Sequence, residues 1–198
     1  MRFTILAGSP RENGNTHILT EAFIEGLAEH SAEHSIVRLH DKRIAGCTAC
    51  RACQRDWSHF GCSIRDDMQA IFSEVLAADT LVLATPIYSW YCTAPMKAAL
   101  DRLMYGMNKF YGDEKGPSLW AGKRVALLIT CGYRPEKGAD LFIEGMKRYC
   151  KHSGLAYAGD HVERDPGYKT TFPDTEKLAR TRRFAKVLAQ SGQEAGRD

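Results

Sequence analysis

Three short runs of continuous apolar residues, at 3–7, 80–84 and 125–129, constrain this chain more than any other feature. A strand with apolar side chains on both faces must be covered on both, as inside a parallel sheet flanked by helices. Two further stretches read as strands: 35–40, alternating around Ile36, Val37 and Leu39, and 156–162. Helical spacing fills the intervals. It links Ile18, Leu19, Ala22, Phe23 and Leu27 in a helix beginning near His17. Met68, Ile71, Phe72, Val75 and Leu76 share one face of 63–78, with Asp66 and Asp67 near its start. Thr93 or Ala94 opens another helix, with Pro95 in its first turn and Met96, Ala99, Leu100 and Leu103 inward. Leu141, Phe142, Met146 and Tyr149 form a further stripe, and Leu178, Ala185 and Leu188 face inward from 175–190. Strand and helix alternate throughout. That order specifies an α/β fold: a three-layer, doubly wound sandwich around a five-stranded parallel sheet, order 2-1-3-4-5, with right-handed crossovers.

The length of 198 residues suits a single domain, 1–198, carrying a cysteine-rich insert at about 46–63. A net charge of +3 is too small to argue for nucleic acid or a membrane surface as a partner. No apolar run has the length of a membrane span, and the first strand begins at once without a signal-peptide core, so a cytoplasmic location is expected. The Gly-, Lys- and Asp-rich stretch 106–122 reads as a long surface excursion, and Lys177, Arg180, Arg182, Arg183 and Lys186 as the solvated face of the last helix.

In such a sheet, ligands sit beyond the carboxyl ends of the strands, at the switch point between strands 1 and 3. Unusual loops stand at three of those ends. The first, residues 8–16, joins a strand to a helix N-terminus, where free N–H groups favour an anion. Ser9, Asn13, Asn15 and Thr16 add donors, and Arg11 adds a fixed charge that can fork onto two oxygens. Glycines at 8 and 14 with Asn15 following match neither the Walker pattern nor G-x-G-x-x-G, so a terminal monophosphate fits better than a pyrophosphate. The alternative is an ordinary turn capped by Asn15 or Thr16. The second loop, 85–92, is apolar and aromatic where the fold places it in water: Pro86, Ile87, Tyr88, Ser89, Trp90 and Tyr91. It offers a flat surface for a heteroaromatic ring, or else covers a subunit interface or core. The third loop runs through Thr130, Cys131, Gly132 and Tyr133.

The pairing of Gly8-Ser9-Pro10-Arg11-x-Asn13-Gly14-Asn15-Thr16 with Thr85-Pro86-Ile87-Tyr88 resembles the NADPH-dependent FMN reductase family of flavodoxin-like proteins, over residues 2 to about 190. The resemblance implies FMN as cofactor and NAD(P)H as co-substrate. It assigns the phosphate to Ser9, Arg11, Asn13, Gly14, Asn15 and Thr16. It places the ring against Pro86, Ile87, Tyr88 and Ser89, with Thr130, Cys131, Gly132 and Tyr133 nearby. It also implies a homodimer or homotetramer.

Four of the seven cysteines stand close together at Cys47, Cys50, Cys53 and Cys62. Four thiolates in one stretch suit a cubane cluster or a tetrahedral zinc; unliganded thiols are the third reading. The segment is similar to that of the iron–sulfur flavoproteins, a branch of the same family that binds a 4Fe–4S cluster through C-x2-C-x2-C-x4–7-C. Here eight residues, 54–61, separate the last two cysteines, one more than that pattern has, which leaves Cys62 as the ligand in question. Arg51, Arg55 and Arg65 flank the segment and would offset an anionic cluster or steer an acidic redox partner.

The expected function is an FMN-dependent oxidoreductase. It would pass electrons from NAD(P)H or a redox protein, through FMN and a 4Fe–4S cluster, to a small-molecule or protein acceptor. The alternatives are an electron carrier between proteins, for example one reduced by a ferredoxin-type protein, and a cluster-free flavin-binding redox sensor. No Ser-His-Asp set or metal-binding His pair supports hydrolysis, and the seven histidines read mostly as surface residues. No acid–base residue is assigned; Tyr88 and Cys131 are the nearest groups for tuning a flavin, though structural roles suit both.

Overall fold

The computed structural model describes residues 1–167, 172 and 174–195. Five parallel strands form one sheet in the order β2-β1-β3-β4-β5. They are β1 (Arg2–Ala7), β2 (Glu33–Arg38), β3 (Thr80–Pro86), β4 (Arg124–Cys131) and β5 (Ala156–Arg164). The helices are α1 (Asn15–Ala28), α2 (Met68–Ala77), α3 (Ala94–Met107), the single turn α4 (Pro135–Gly138), α5 (Asp140–Ser153) and α6 (Thr175–Ala195). This is the doubly wound, flavodoxin-like sandwich that the apolar runs required.

Side-chain alternation divides the core into two layers. Phe3, Ile5, Val82, Ala84, Ala126 and Leu128 face α1 and α6, where Phe23, Leu27, Ala185 and Leu188 cover them. Leu6, Leu81, Leu83, Val125, Leu127 and Ile129 face α2, α3 and α5, meeting Ile71, Met96, Leu103 and Phe142. The central strands are apolar on both faces for this reason. β2 lies at an edge and keeps a mixed pattern, with only Val37 buried.

Three sequence expectations are corrected. Helix α2 begins at Met68, not near 63, because the chain before it is committed elsewhere: Asp66 accepts hydrogen bonds from Ala45 N–H (2.9 Å) and the Arg102 guanidinium (2.5 Å), and stops the helix by accepting Met68 N–H (3.1 Å). The stretch 106–122 is a surface excursion only in part: residues 112–115 are exposed, but the segments on either side turn inward. Asn108, Lys109 and Trp120 are buried within it, and the Asn108 side chain bonds Ser153 Oγ (2.8 Å), Ser118 Oγ (2.8 Å) and Trp120 Nε1 (3.0 Å). Polar composition suggested solvent, but these groups satisfy one another inside. The basic face of α6 is also only partly solvated: Arg182 pairs with Glu25 on α1, and Arg180 with Glu163 on β5. No helix among the described residues is long and apolar enough to cross a membrane.

Candidate active site

The sheet ends where its loops converge. Beyond β1, the Gly8 N–H continues the ladder to Ala84 O (2.8 Å), and Gly8 O accepts the Thr93 hydroxyl (2.7 Å). A Cβ at position 8 would lie 2.9 Å from Thr93 Oγ1, so glycine allows this close passage over the start of α3. The loop then turns on itself: Ser9 Oγ accepts Arg11 N–H (3.2 Å), and Gly14 N–H donates to Arg11 O (3.3 Å). Helix α1 starts at Asn15 with Gly14 as its cap, no side-chain capping bond and no acid in its first turn. The alternative of a turn capped by Asn15 or Thr16 therefore fails. The first N–H groups of α1 lack intrahelical acceptors, beside an Arg11 side chain that enters no ion pair among the described residues. That charge pattern suits a phosphate.

Two of the remaining predicted phosphate contacts, Thr16 and Asn15, are partly engaged. Thr16 Oγ1 and Thr130 Oγ1 share a buried hydrogen bond (2.7 Å), which joins α1 to β4. Asn15 Nδ2 donates to Asp165 Oδ2 (2.6 Å), leaving one amide N–H for a ligand.

The aromatic wall follows from the β3–β4 register. Pro86 pairs with Thr130, and Ile87 N–H donates to Thr130 O (2.8 Å), so the two loops emerge side by side. Tyr88 and Tyr91 exchange both backbone hydrogen bonds (2.9 and 3.0 Å) across a two-residue turn. Ser89 (φ 50°) and Trp90 (φ 63°) both occupy the left-handed region there, which non-glycine residues enter at a cost. The turn holds Tyr88 and Trp90 about half exposed (47% and 48%). Trp90 is pinned by Nε1–H donation to Lys137 O (3.1 Å) and by a parallel stack on Tyr133 (5.9 Å between centroids, 9° between planes).

The three loops enclose a cleft of about 410 Å³. Of the predicted residues, Ser9, Arg11, Gly14, Asn15, Thr16, Pro86, Ile87, Tyr88, Thr130, Cys131 and Gly132 line it; Asn13, Ser89 and Tyr133 lie outside the lining. Burial pushes the Cys131 thiol pKa up, and its S–H donates to Tyr133 O (3.2 Å), so it forms part of the wall as a neutral thiol. Sequence reasoning missed Asp165, Gly167 and Phe172, which also line the cleft. Asp165 follows β5, and its N–H extends the β4–β5 ladder to Cys131 O (2.8 Å). The only available signal was that β5 also ends at the carboxyl edge of the sheet. His161 is an exception to the reading of histidines as surface residues. Its side chain is mostly buried and bonds Thr181 (3.0 Å) and Glu163, away from the cleft. FMN fits the cleft: its anion can meet the open end of α1 with Arg11 and Ser9, and its flat ring the apolar Pro86–Tyr88 face.

The four clustered cysteines line a second hollow, between their own segment and α3. All are free thiols; Cys47 and Cys50 are exposed, Cys62 is half-buried and Cys53 is buried. Ala49 (φ 54°) and Arg51 (φ 58°) adopt left-handed backbone between them, a strained path for non-glycine residues. Cys53 S–H donates to Tyr105 O (3.4 Å), and Cys50 Sγ meets Ser63 Oγ (3.3 Å). The enclosed part holds about 20 Å³, so a larger group would sit in its mouth, beside Cys47 and Cys50. Among the described residues no three His, Cys, Asp or Glu side chains gather closely enough to share one metal ion, which disfavours the tetrahedral zinc reading. A cubane needs one thiolate at each iron and not four on one ion, and this donor set is compatible with it.

Arg51, Arg55 and Arg65 are exposed. The buried cations at the segment are two that sequence reading passed over, Arg102 and Lys109. Lys109 Nζ donates to Cys53 O (2.7 Å), His59 O (2.6 Å) and Phe60 O (3.3 Å), and ties the segment to the buried residues that follow α3.

The family model for NADPH-dependent FMN reductase matches residues 1–141, a shorter stretch than the motifs implied, ending at the start of α5. An iron–sulfur flavoprotein of Methanosarcina thermophila is 28% identical over 161 residues, covering 81% of this chain and 78% of that protein. An FMN-dependent NADH:quinone oxidoreductase of Thiobacillus denitrificans is 31% identical over 134 residues, covering 64% of each chain. Other iron–sulfur flavoproteins are matched over about half their length. Among solved structures, an NAD(P)H:quinone oxidoreductase from Methanothermobacter marburgensis superposes with a TM-score of 0.72 at 21% identity, covering 95% of this chain and 96% of that one, which establishes the shared fold. With the 8–16 loop, the aromatic loop 85–92 and the cysteine segment all inside the matched stretch, the chain belongs to the NADPH-dependent FMN reductase family and is an FMN-dependent oxidoreductase of that kind.

Proposed function

We propose that this protein passes electrons from NAD(P)H, or from a ferredoxin-type redox protein, to a small-molecule or protein acceptor, using FMN in the cleft and a 4Fe–4S cluster on Cys47, Cys50, Cys53 and Cys62. The observation that carries the FMN part is a single cleft whose lining joins the open α1 terminus, Ser9 and Arg11 to the flat Pro86–Tyr88 surface. The cluster part rests on the gathering of all four thiols at one hollow. FMN supplies two-electron chemistry with the nicotinamide and release of electrons one at a time. The chain's own residues bind and shield: Arg11, Ser9 and the α1 N–H groups hold the phosphate, Ile87 and Tyr88 exclude water from one ring face, and Thr130–Gly132 closes the other side. Each NAD(P)H oxidised releases two electrons, and the acceptor takes up the same two. A homodimer or homotetramer is part of this reading, with the exposed Tyr88, Trp90, Tyr133 and Leu141 as the surface a second copy would cover.

The double variant Ser9→Ala with Arg11→Ala tests the cleft. A hydrogen bond to a charged group contributes about 1.5–3 kcal/mol, so FMN affinity should fall at least about tenfold. FMN retention equal to the parent's would refute the phosphate assignment. Iron analysis of anaerobically purified protein tests the cluster. About four irons per chain with a broad brown absorbance are expected. Yellow, iron-free protein would remove the cluster and leave the FMN assignment standing.

A further inference from the structure

We propose that Arg102 is a positioning residue for the cysteine site, whose guanidinium holds Cys62 in place and raises the reduction potential of the iron–sulfur cluster bound there. The inference rests on the cluster reading above. Arg102 projects from α3 with a side chain that is entirely buried (0% exposed), and it lines the hollow with all four cysteines. Its donors reach four separate points of the segment. Nη1 donates to Asp66 Oδ2 (2.5 Å) and Ala45 O (3.3 Å); Nη2 donates to Ile64 O (3.2 Å) and Cys62 Sγ (3.2 Å). Nε is buried without a partner.

Burying a guanidinium is costly, and a pair such as Arg102–Asp66 is seldom a net gain against apolar packing. A clamp alone would be satisfied by the carboxylate and the carbonyls. Here one N–H is directed at a sulfur, and the Nε N–H of the same guanidinium is buried with nothing to bond. Both features suit a thiolate-bound anionic group, which would draw on N–H donors and on a nearby positive charge.

Hydrogen bonds to the sulfurs, net charge and solvent exposure set the potential of such clusters. Added electron density on the cluster is stabilised by a cation in a poorly screened setting, so the potential rises. Arg102 is the cation placed to do this. Arg51, Arg55 and Arg65 are exposed, and salt screens them. Lys109 is buried but spends its three N–H groups on carbonyl oxygens. The same contact answers the spacing departure at Cys62: the longer 54–61 segment is folded so that Cys62 is tied to α3 instead of hanging free.

The test compares the full-length parent with Arg102→Lys and Arg102→Gln. Each is reconstituted anaerobically with ferrous iron and sulfide, then titrated with dithionite under electron paramagnetic resonance, with FMN content and far-UV circular dichroism as controls of folding. The midpoint potential should move downward in Arg102→Lys, which keeps the charge but loses the fork, and further in Arg102→Gln. Loss of iron with FMN and fold retained supports the hold on Cys62, and the midpoint potential of Arg102→Lys then decides the effect on the cluster. If Arg102→Gln fails to fold, Arg102→Lys decides. Variants that load iron like the parent and keep its midpoint potential overturn the role of Arg102 and leave the cluster intact. A parent that takes up no iron overturns the cluster reading, and this inference with it.

Discussion

Gly106 lies near the end of α3 with the Phe60 ring across it, and replacing it with alanine sets two effects against each other. Helix propensity alone favours alanine by up to about 1 kcal/mol. The packing opposes it. A Cβ at 106 would stand 1.9 Å from Phe60 Cε2 and 2.1 Å from Cδ2, where ordinary contact begins at 3.4 Å. The ring must therefore retreat by roughly 1.5 Å in an interior with few voids to receive it. It is 4% exposed and stacked on Phe72 at 4.4 Å between centroids and 24° between planes, so rotation in place gives little relief. Overpacking of this kind costs about 1–3 kcal/mol, and a displaced ring also drags His59, Gly61 and Cys62 with it. The packing term exceeds the propensity term, and Gly106→Ala should lower the melting temperature by about 2–10 °C. The loss should be local: faster proteolytic cleavage within 46–63, with FMN retained because the cleft is built from other loops. Thermal unfolding followed by circular dichroism, with timed proteolysis, measures both. A melting temperature equal to or above the parent's would refute the reasoning, since propensity would then have won.

Two further outcomes follow from the charges. In iron-free folded protein at about pH 8, iodoacetamide should label Cys50 first, because it is exposed and its pKa is lowered, chiefly by the hydrogen bond with Ser63. Cys92 and Cys150 should stay unlabelled until unfolding, since burial pushes their thiols up to about 12 and about 11; mass mapping that finds either labelled as fast as Cys50 contradicts this. For Asp66, burial raises the pKa, but hydrogen bonds from Arg102, Ala45 N–H and Met68 N–H outweigh it, and the carboxyl ends below its ordinary value. A depressed folded-state pKa contributes stability above the unfolded value of about 3.9 that is lost as pH falls through the folded one. Asp66→Asn should therefore be less stable than the parent to denaturant at pH 7, with the gap shrinking below about pH 4; a gap that widens on acidification would show the sign to be wrong.

Much of the cleft was readable before any coordinates. Gly8–Thr16 and Thr85–Ser89 are contiguous, and their chemistry follows from residues adjacent in the chain and from the strand ends they occupy. Asp165, Gly167 and Phe172 were not readable as part of it. They reach the cleft only because β5 pairs with β4, so that Asp165 meets Asn15, 150 residues away. The 106–122 stretch shows the same difficulty inside one segment. Its polar residues resembled a loop because nothing local reveals that Asn108 finds Ser118, Trp120 and Ser153 in the interior.

By itself, the amino-acid sequence determined the alternation of buried strands and amphipathic helices, and through it the 2-1-3-4-5 sheet, because burial periodicity is a local property of the chain. It also determined the 8–16 loop at the start of the first helix and the four-thiol segment, whose members lie within a few turns of one another. Tertiary structure alone decided what surrounds them. It carried Arg102 and Lys109, 40 or more residues from their partners Cys62 and Cys53, into contact with the cysteine segment and removed them from water. The field at that site depends on desolvation and on which side chains become neighbours, and these exist only once the chain has closed over them.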